Sequence, residues 1–271
     1  MEIFQAALQI LSVIVLSVIL SVMALRVIRA AGADLRNLHD RNRPVVLSIA
    51  AGFNLLFILM IALILRYWNH HTLAVLGLTL NVKDICFLII AFVFMLGLAI
   101  FFIFFLQRRE MVQISKIRRS FGNAGAGIWI SVIVLFIAAL QEEFLFRGYF
   151  AFVLLPFGFY VGLLVSAAVF TLWHFLTNSV HLFQVVDWFV GGLLLFLIYY
   201  LSGSIWVVAL VHVGRNLINV FVFGISASNS LIEYKRPIAP PQKTLYTISS
   251  SFAVALTGLF LYHSSSSLIQ Y

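Results

Sequence analysis

The stretch WISVIVLFIAALQEEFLFRGYF, Trp129–Phe150, runs almost wholly apolar to Leu140, then carries Glu142, Glu143 and Arg147 before returning to aromatic residues. Read as a core helix of a water-soluble protein, it would be one of many. Read as a bilayer span, it places three ionisable groups where each costs several kcal/mol unless it meets a partner or a water-filled cavity. The remainder of the chain decides between the two. Of 271 residues, 63% are hydrophobic and only 10% are Asp, Glu, Lys or Arg, so the composition is that of a polytopic membrane protein.

A spanning helix needs roughly 20 apolar residues, and eight segments qualify: about 3–25, 44–65, 85–106, 126–155, 158–177, 182–201, 204–224 and 245–262. The first follows an acidic start with no basic leader and is too long for a signal-peptide core, so it is expected to be a retained span. The expected fold is all-α, a bundle of about eight transmembrane helices. Orientation follows from the basic residues. The loop 26–43 carries Arg26, Arg29, Arg36, Arg41 and Arg43; the loop 107–125 carries Arg108, Arg109, Lys116, Arg118 and Arg119; the loop 225–244 carries Lys235, Arg236 and Lys243. The opposite loops hold only Arg66 and Lys83. Both termini are therefore expected outside the cytoplasm.

The net charge of +8 belongs to these short loops and gives no reason to expect nucleic acid. Cys86, the single cysteine, excludes an internal disulfide, and the chain does not end in a prenylation box. No repeat of 20–50 residues and no inverted repeat of the transporter kind is evident. Leu73–Val82 is too short to span and is expected at the outer interface or dipping partway. Gly158 and Gly162 form a small-xxx-small pair suited to close helix approach. "IAPPQKT", Ile238–Thr244, and "SSSS", Ser264–Ser267, read as a loop turn and a polar tail.

Three polar groups lie at membrane depth. Glu143 and Arg147, four apart in the favourable charge order, share a helix face, while Glu142 points about 100° away. The pair reads equally as packing or as part of a site. "FTLWH" places Phe170 and His174 one turn apart, and "HVGRN" puts His212 and Asn216 on one face; each alone reads as easily as helix-to-helix hydrogen bonding. Depth links them. With ~1.5 Å rise per residue, Glu142 lies roughly 20 Å from the outer end near Leu155, His174 about 24 Å from Gly158, and His212 and Asn216 about 12 and 18 Å from Ser204. All fall in the middle or cytoplasmic half of a core roughly 30 Å thick.

A carboxylate near a histidine can hold a water, take its proton and deliver it to a leaving amine. A second histidine with an asparagine amide supplies donors for a tetrahedral oxyanion. Amide hydrolysis uses both halves. Glu142, His174 and His212 are also the residue types that bind zinc, although HExxH spacing is absent. Cys86 and Ser166 stand in no nucleophile context.

Together "EEFLFRG", "FTLWH" and "HVGRN" resemble the three motifs of the CAAX protease and bacteriocin-processing (Abi) family of intramembrane proteases, over about 125–224, and in particular the type II CAAX prenyl endopeptidases. The resemblance implies a membrane-embedded endopeptidase with a catalytic cavity open to the cytoplasmic leaflet. It divides the chain into N-terminal helices and an interfacial segment (1–124), a catalytic four-helix core (125–224), and a cytoplasmic loop with the last helix (225–271). It carries Glu142 over as the water-activating base assisted by His174, Glu143 and Arg147 as the supporting ion pair, and His212 and Asn216 as oxyanion stabilisers. Family members are described both as metalloproteases and as metal-independent glutamate proteases; the preferred mechanism needs no cofactor, and zinc, if bound, would use Glu142, His174 and His212. The implied partners are the lipid bilayer and a peptide substrate, a prenylated CAAX tail being one candidate, in the plasma membrane if the chain is prokaryotic. Bacterial relatives of the family instead process or confer resistance to peptides, or act in regulation. The competing readings are a non-proteolytic scaffold or regulator of the same fold, and a transporter. Arg215 inside the third motif has three readings: snorkelling, pairing with Asp187, or contact with a substrate carboxylate. Asp187 itself, near its helix start, is expected to be solvated at the interface.

Overall fold

The computed structural model describes residues 2–34, 43–117, 125–175, 181–224 and 230–263. Arg36, Arg41, Arg118, Arg119 and Ser264–Ser267 lie outside them. The described residues form eight helical runs, matching the eight expected segments. These are α1 Ile3–Ala30, α2 Pro44–Tyr67, α3 Val82–Arg108, α4 Gly125–Glu143 continued by α5 Phe150–Leu154, α6 Phe159–Phe175, α7 Leu182–Ser202, α8 Ile205–Leu217 and α9 Pro240–His263. Among the described residues, six helices are long and apolar enough to cross a membrane. The protein is an all-α, multi-pass integral membrane protein.

Which helices face lipid follows from burial. In the apolar windows of α1 and α2 only 17% of residues are buried inside the protein, against 44% in α7 and 50% in α8 with its extension. Phe4, Leu55, Val93 and Phe260 expose their side chains, which a bilayer tolerates and water would not. One hydrophobic cluster runs from Ala6 to Tyr262, with Phe146, Tyr149, Phe150, Phe196 and Ile198 at its centre. Small residues bring the core helices together where no hydrophobic effect drives them. A Cβ on Gly192 would stand 3.0 Å from Ala167 Cα, and one on Gly162 would stand 2.7 Å from the Phe196 ring. Of the expected glycine pair, only Gly162 serves close approach. Gly158, at φ +112, forms the turn before α6, with nothing within 4 Å of where its Cβ would be.

The segment Leu73–Val82 makes a 3-10 turn at Leu73–Leu76 and is fastened to the α7–α8 corner. Ile205 N–H donates to Gly77 O at 2.9 Å, Ser204 Oγ to Thr79 O at 2.6 Å, and Trp206 Nε1 to Leu78 O at 3.1 Å. Asn81 then caps α3 in a reciprocal capping box with Asp84.

Two of the segments expected as loops add a strand pair to the helical fold. β1, Gln113–Ile117, pairs antiparallel with β2, Ile232–Arg236, in an irregular register. The ribbon ties the basic segment after α3 to the one after α8, so both lie at one end of the bundle. Tyr234 fixes β2 to the end of α8, its hydroxyl donating to Val222 O at 2.7 Å. Burial pushes that phenol above its ordinary range, so it stays a donor.

Candidate active site

The residues of "QEEFLFRG" do not continue as an α-helix. After Glu143 the chain widens into a π-helical turn, Phe144–Tyr149, before α5 resumes, the kind of irregularity often found at functional sites. α8 widens likewise beyond its motif, at Ile218–Val222. Gly148 belongs to the first turn, and a Cβ there would meet Leu76 at 2.9 Å.

Glu142 and Glu143 have opposite surroundings. Glu143 is wholly buried and its Oε1 accepts two bonds. One comes from Arg147 Nη1 at 3.1 Å, the other from His212 Nδ1 at 2.6 Å. Arg147, also wholly buried, donates from Nη2 to Gly192 O at 3.3 Å and lays its guanidinium 4.3 Å from the centroid of the Phe170 ring. Glu143 and Arg147 thus join α4 and its π turn to α6, α7 and α8. The expected ion pair is present, and it has a further partner in His212, which the spacing did not disclose.

Glu142 turns the other way, into a cavity of about 140 Å³ that His174, His212, Asn216, Phe170 and Trp188 also line. The four polar motif residues outside the ion pair therefore share one space. Glu142 Oε2 faces His212 Nε2 at 3.8 Å, too long for a direct hydrogen bond and suited to a bridging water. An ionised carboxylate only accepts, so the 2.6 Å contact to Glu143 puts a hydrogen on His212 Nδ1. Nε2 then accepts in the neutral ring and donates in the imidazolium. His174 is set in the same manner. Its Nδ1 donates to Phe170 O at 2.8 Å, so the neutral ring carries its lone pair on Nε2, and the ring lies 5.0 Å from Trp188 at 30°.

Glu, His and His are suitable ligand types for zinc, but among the described residues no three His, Cys, Asp or Glu side chains converge as a metal site. The arrangement as it stands gives no step to a metal.

The cavity contains residues the sequence reading left aside. Asn219 projects into it three residues beyond Asn216; its spacing of seven from His212 already marked that helix face. Lys243, counted as a topology charge, binds Asp187 Oδ2 through Nζ at 3.3 Å across the cavity wall. Asp187 is thus buried and held by an ion pair with the half-buried Lys243, not by interfacial solvation, because α9 starts beside the first turns of α7 and brings the lysine to it. Of the three readings of Arg215, direct pairing with Asp187 is the one this contact argues against, since Asp187 Oδ2 takes Lys243 while Arg215 lies along the same cavity. Trp188 and Gly191 gave no signal, since apolar residues in a span announce nothing.

No curated protein and no solved structure was found to match this chain. About a third of its length does match a known family: residues 124–218, which contain Glu142, Glu143, Arg147, His174, His212 and Asn216, fit the family model "Type II CAAX prenyl endopeptidase Rce1-like". Across 124–218 this membrane protein is therefore similar to the Rce1-like type II CAAX prenyl endopeptidases, a family of CAAX-type intramembrane proteases.

Proposed function

We propose that the chain is an intramembrane endopeptidase in which Glu142 activates water and His212 with Asn216 stabilises the oxyanion. The observation that carries this reading is the 3.8 Å gap between Glu142 Oε2 and His212 Nε2, in the one cavity that also holds His174 and Asn216. A water in that gap gives a proton to the Glu142 carboxylate as its oxygen attacks the scissile carbonyl carbon. His174 Nε2 accepts the water's other hydrogen and orients it. The carbonyl oxygen becomes an oxyanion, held by the Asn216 amide and by Nε2–H of His212 in its imidazolium form. When the carbon–nitrogen bond breaks, the proton on Glu142 passes to the leaving nitrogen. Glu143 and Arg147 position: one fixes His212 through Nδ1, the other fixes Glu143.

The substrate is a membrane-associated peptide, a prenylated CAAX tail being the leading candidate. The catalytic core is 125–224. Asp187 and Lys243 stand on the first turns of α7 and α9 and line the cavity, so it extends toward the end of the bundle that bears the basic loops, which we take as cytoplasmic.

The test is cleavage of a quenched farnesylated CAAX peptide by purified protein, wild type beside Glu142→Gln. General-base loss is expected to lower kcat by about 10²–10⁴-fold. Equal cleavage by both would remove Glu142 from the mechanism. His174→Gln, which keeps an acceptor but cannot titrate, is expected to retain more activity than Glu142→Gln.

A further inference from the structure

Arg215 is a charge in the cavity that the mechanism does not use and that, unlike Asp187 and Lys243, makes no ion pair within 4 Å among the described residues. It stands on α8 between His212 and Asn216, and its guanidinium donates no hydrogen bond among those residues. The acid nearest in kind, Asp187, gives its Oδ2 to Lys243. The protein has nonetheless made room for this arginine. A Cβ on Gly191 would stand 2.6 Å from Arg215 Nη1 and 3.3 Å from Cζ, so the guanidinium lies directly against the bare backbone of α7. Asn216 and Asn219 present two amides to the same cavity. A guanidinium that feels Asp187 and Glu143 only at a distance, with no carboxylate within 4 Å among the described residues, can receive one in the same space, since its planar fork matches a carboxylate's two oxygens.

We propose that Arg215 binds a carboxylate of the substrate, the free C-terminal carboxylate of a short tail leaving on the amine side of the scissile bond; this rests on the peptidase reading above. Arg215 lies three residues past His212, ~4.5 Å along the helix axis, and lines the same cavity. The carboxylate therefore sits on the leaving side, within a few residues of the bond being cut. Arg215 is a specificity-determining residue in this scheme, and Gly191 is the position that admits its side chain.

The experiment uses full-length protein in zwitterionic nanodiscs and two probes, a fluorescent farnesylated CAAX peptide with a free C-terminal carboxylate and the same peptide as its C-terminal amide. Wild type, Arg215→Gln, Arg215→Lys and Gly191→Ala are compared by Kd and by cleavage. Wild type is expected to bind the acid about tenfold or more tighter than the amide, as a charge-assisted bidentate contact would give. Arg215→Gln brings the acid to the level of the amide, moves the amide little, and raises KM more than it lowers kcat. Arg215→Lys keeps part of the preference, and Gly191→Ala reduces it by displacing the guanidinium. A wild type indifferent to acid or amide, or a preference that survives Arg215→Gln, overturns the proposal. So does loss of both affinities in Arg215→Gln and Arg215→Lys alike, which would make Arg215 structural. Preference for the acid without cleavage of either peptide would instead remove the peptidase reading and leave the anion subsite standing. Cleavage of both peptides at one rate and one KM would do the reverse.

Discussion

At the scale of single residues, two adjacent glutamates differ by one step along a helix and by everything in their surroundings. Glu142 faces the cavity with its side chain 20% exposed, whereas Glu143 has none exposed. Glu143 Oε1 takes both Arg147 and His212, while Glu143 Oε2 and Arg147 Nε are buried without hydrogen-bond partners among the described residues. A strut so incompletely satisfied has nothing spare. Removing the cation in Arg147→Met leaves a buried carboxylate with one partner fewer and is expected to cost roughly 3–5 kcal/mol, read as a fall in the thermal midpoint in detergent. Adding Glu143→Gln should recover part of that loss, because the uncompensated charge is gone. The double-mutant cycle is thus expected to be non-additive by more than about 1 kcal/mol; strict additivity would mean the two side chains stand independently. The spacing of four made Glu143 and Arg147 legible as a pair. The bond from His212 was not legible, since sequence separation of 69 residues carries no information about which of two neighbouring carboxylates a distant histidine will reach.

At the scale of elements, hydrophobic runs were sufficient to place all eight helices, because in lipid the length of an apolar run and the length of a span are the same constraint. What the runs did not give was their interruptions. The π turn at Phe144–Tyr149 and the ribbon of β1 with β2 arise from tertiary contact, and neither leaves a local period. The half-buried corner at Gly77 is of the same kind. Gly77 has φ +72, and a Cβ there would collide with the Gly203 carbonyl oxygen while its own carbonyl accepts from Ile205 N–H. Gly77→Ala is expected to destabilise by at least about 1–2 kcal/mol from the left-handed backbone alone, before the collision is counted. Gly97, inside α3 with open space where its Cβ would be, should behave oppositely, Gly97→Ala gaining about 0.5–1 kcal/mol of helix propensity. Thermal midpoints of the two variants measured side by side separate the cases, and a tolerated Gly77→Ala would mean the corner is looser than drawn.

At the scale of the whole molecule, the charge count and the ribbon bear on one question from independent directions. Thirteen lysines and arginines after alternate helices, against Arg66 and Lys83 on the other side, give the expectation that the segments after α3 and α8 share one side, the cytoplasm, by the bias of insertion. The ribbon places the same two segments together by hydrogen bonding, with Lys116 opposite Glu233. Were one of the intervening helices to fail to cross, the two segments would fall on opposite faces and the strands could not meet. A cross-link tests the pairing and a probe tests the side. In a Cys86→Ser background, Lys116→Cys combined with Glu233→Cys is expected to form a disulfide on mild oxidation, since directly opposed antiparallel residues have Cα atoms about 4.5–5.5 Å apart, within the range a disulfide needs. Lys116→Cys alone should resist a membrane-impermeant maleimide added to intact cells and react once the membrane is opened. Cross-linking with labelling from outside would keep the ribbon and invert the protein, taking the cavity mouth and its substrate to the other face; labelling only after permeabilisation, without a cross-link, would keep the orientation and dissolve the ribbon.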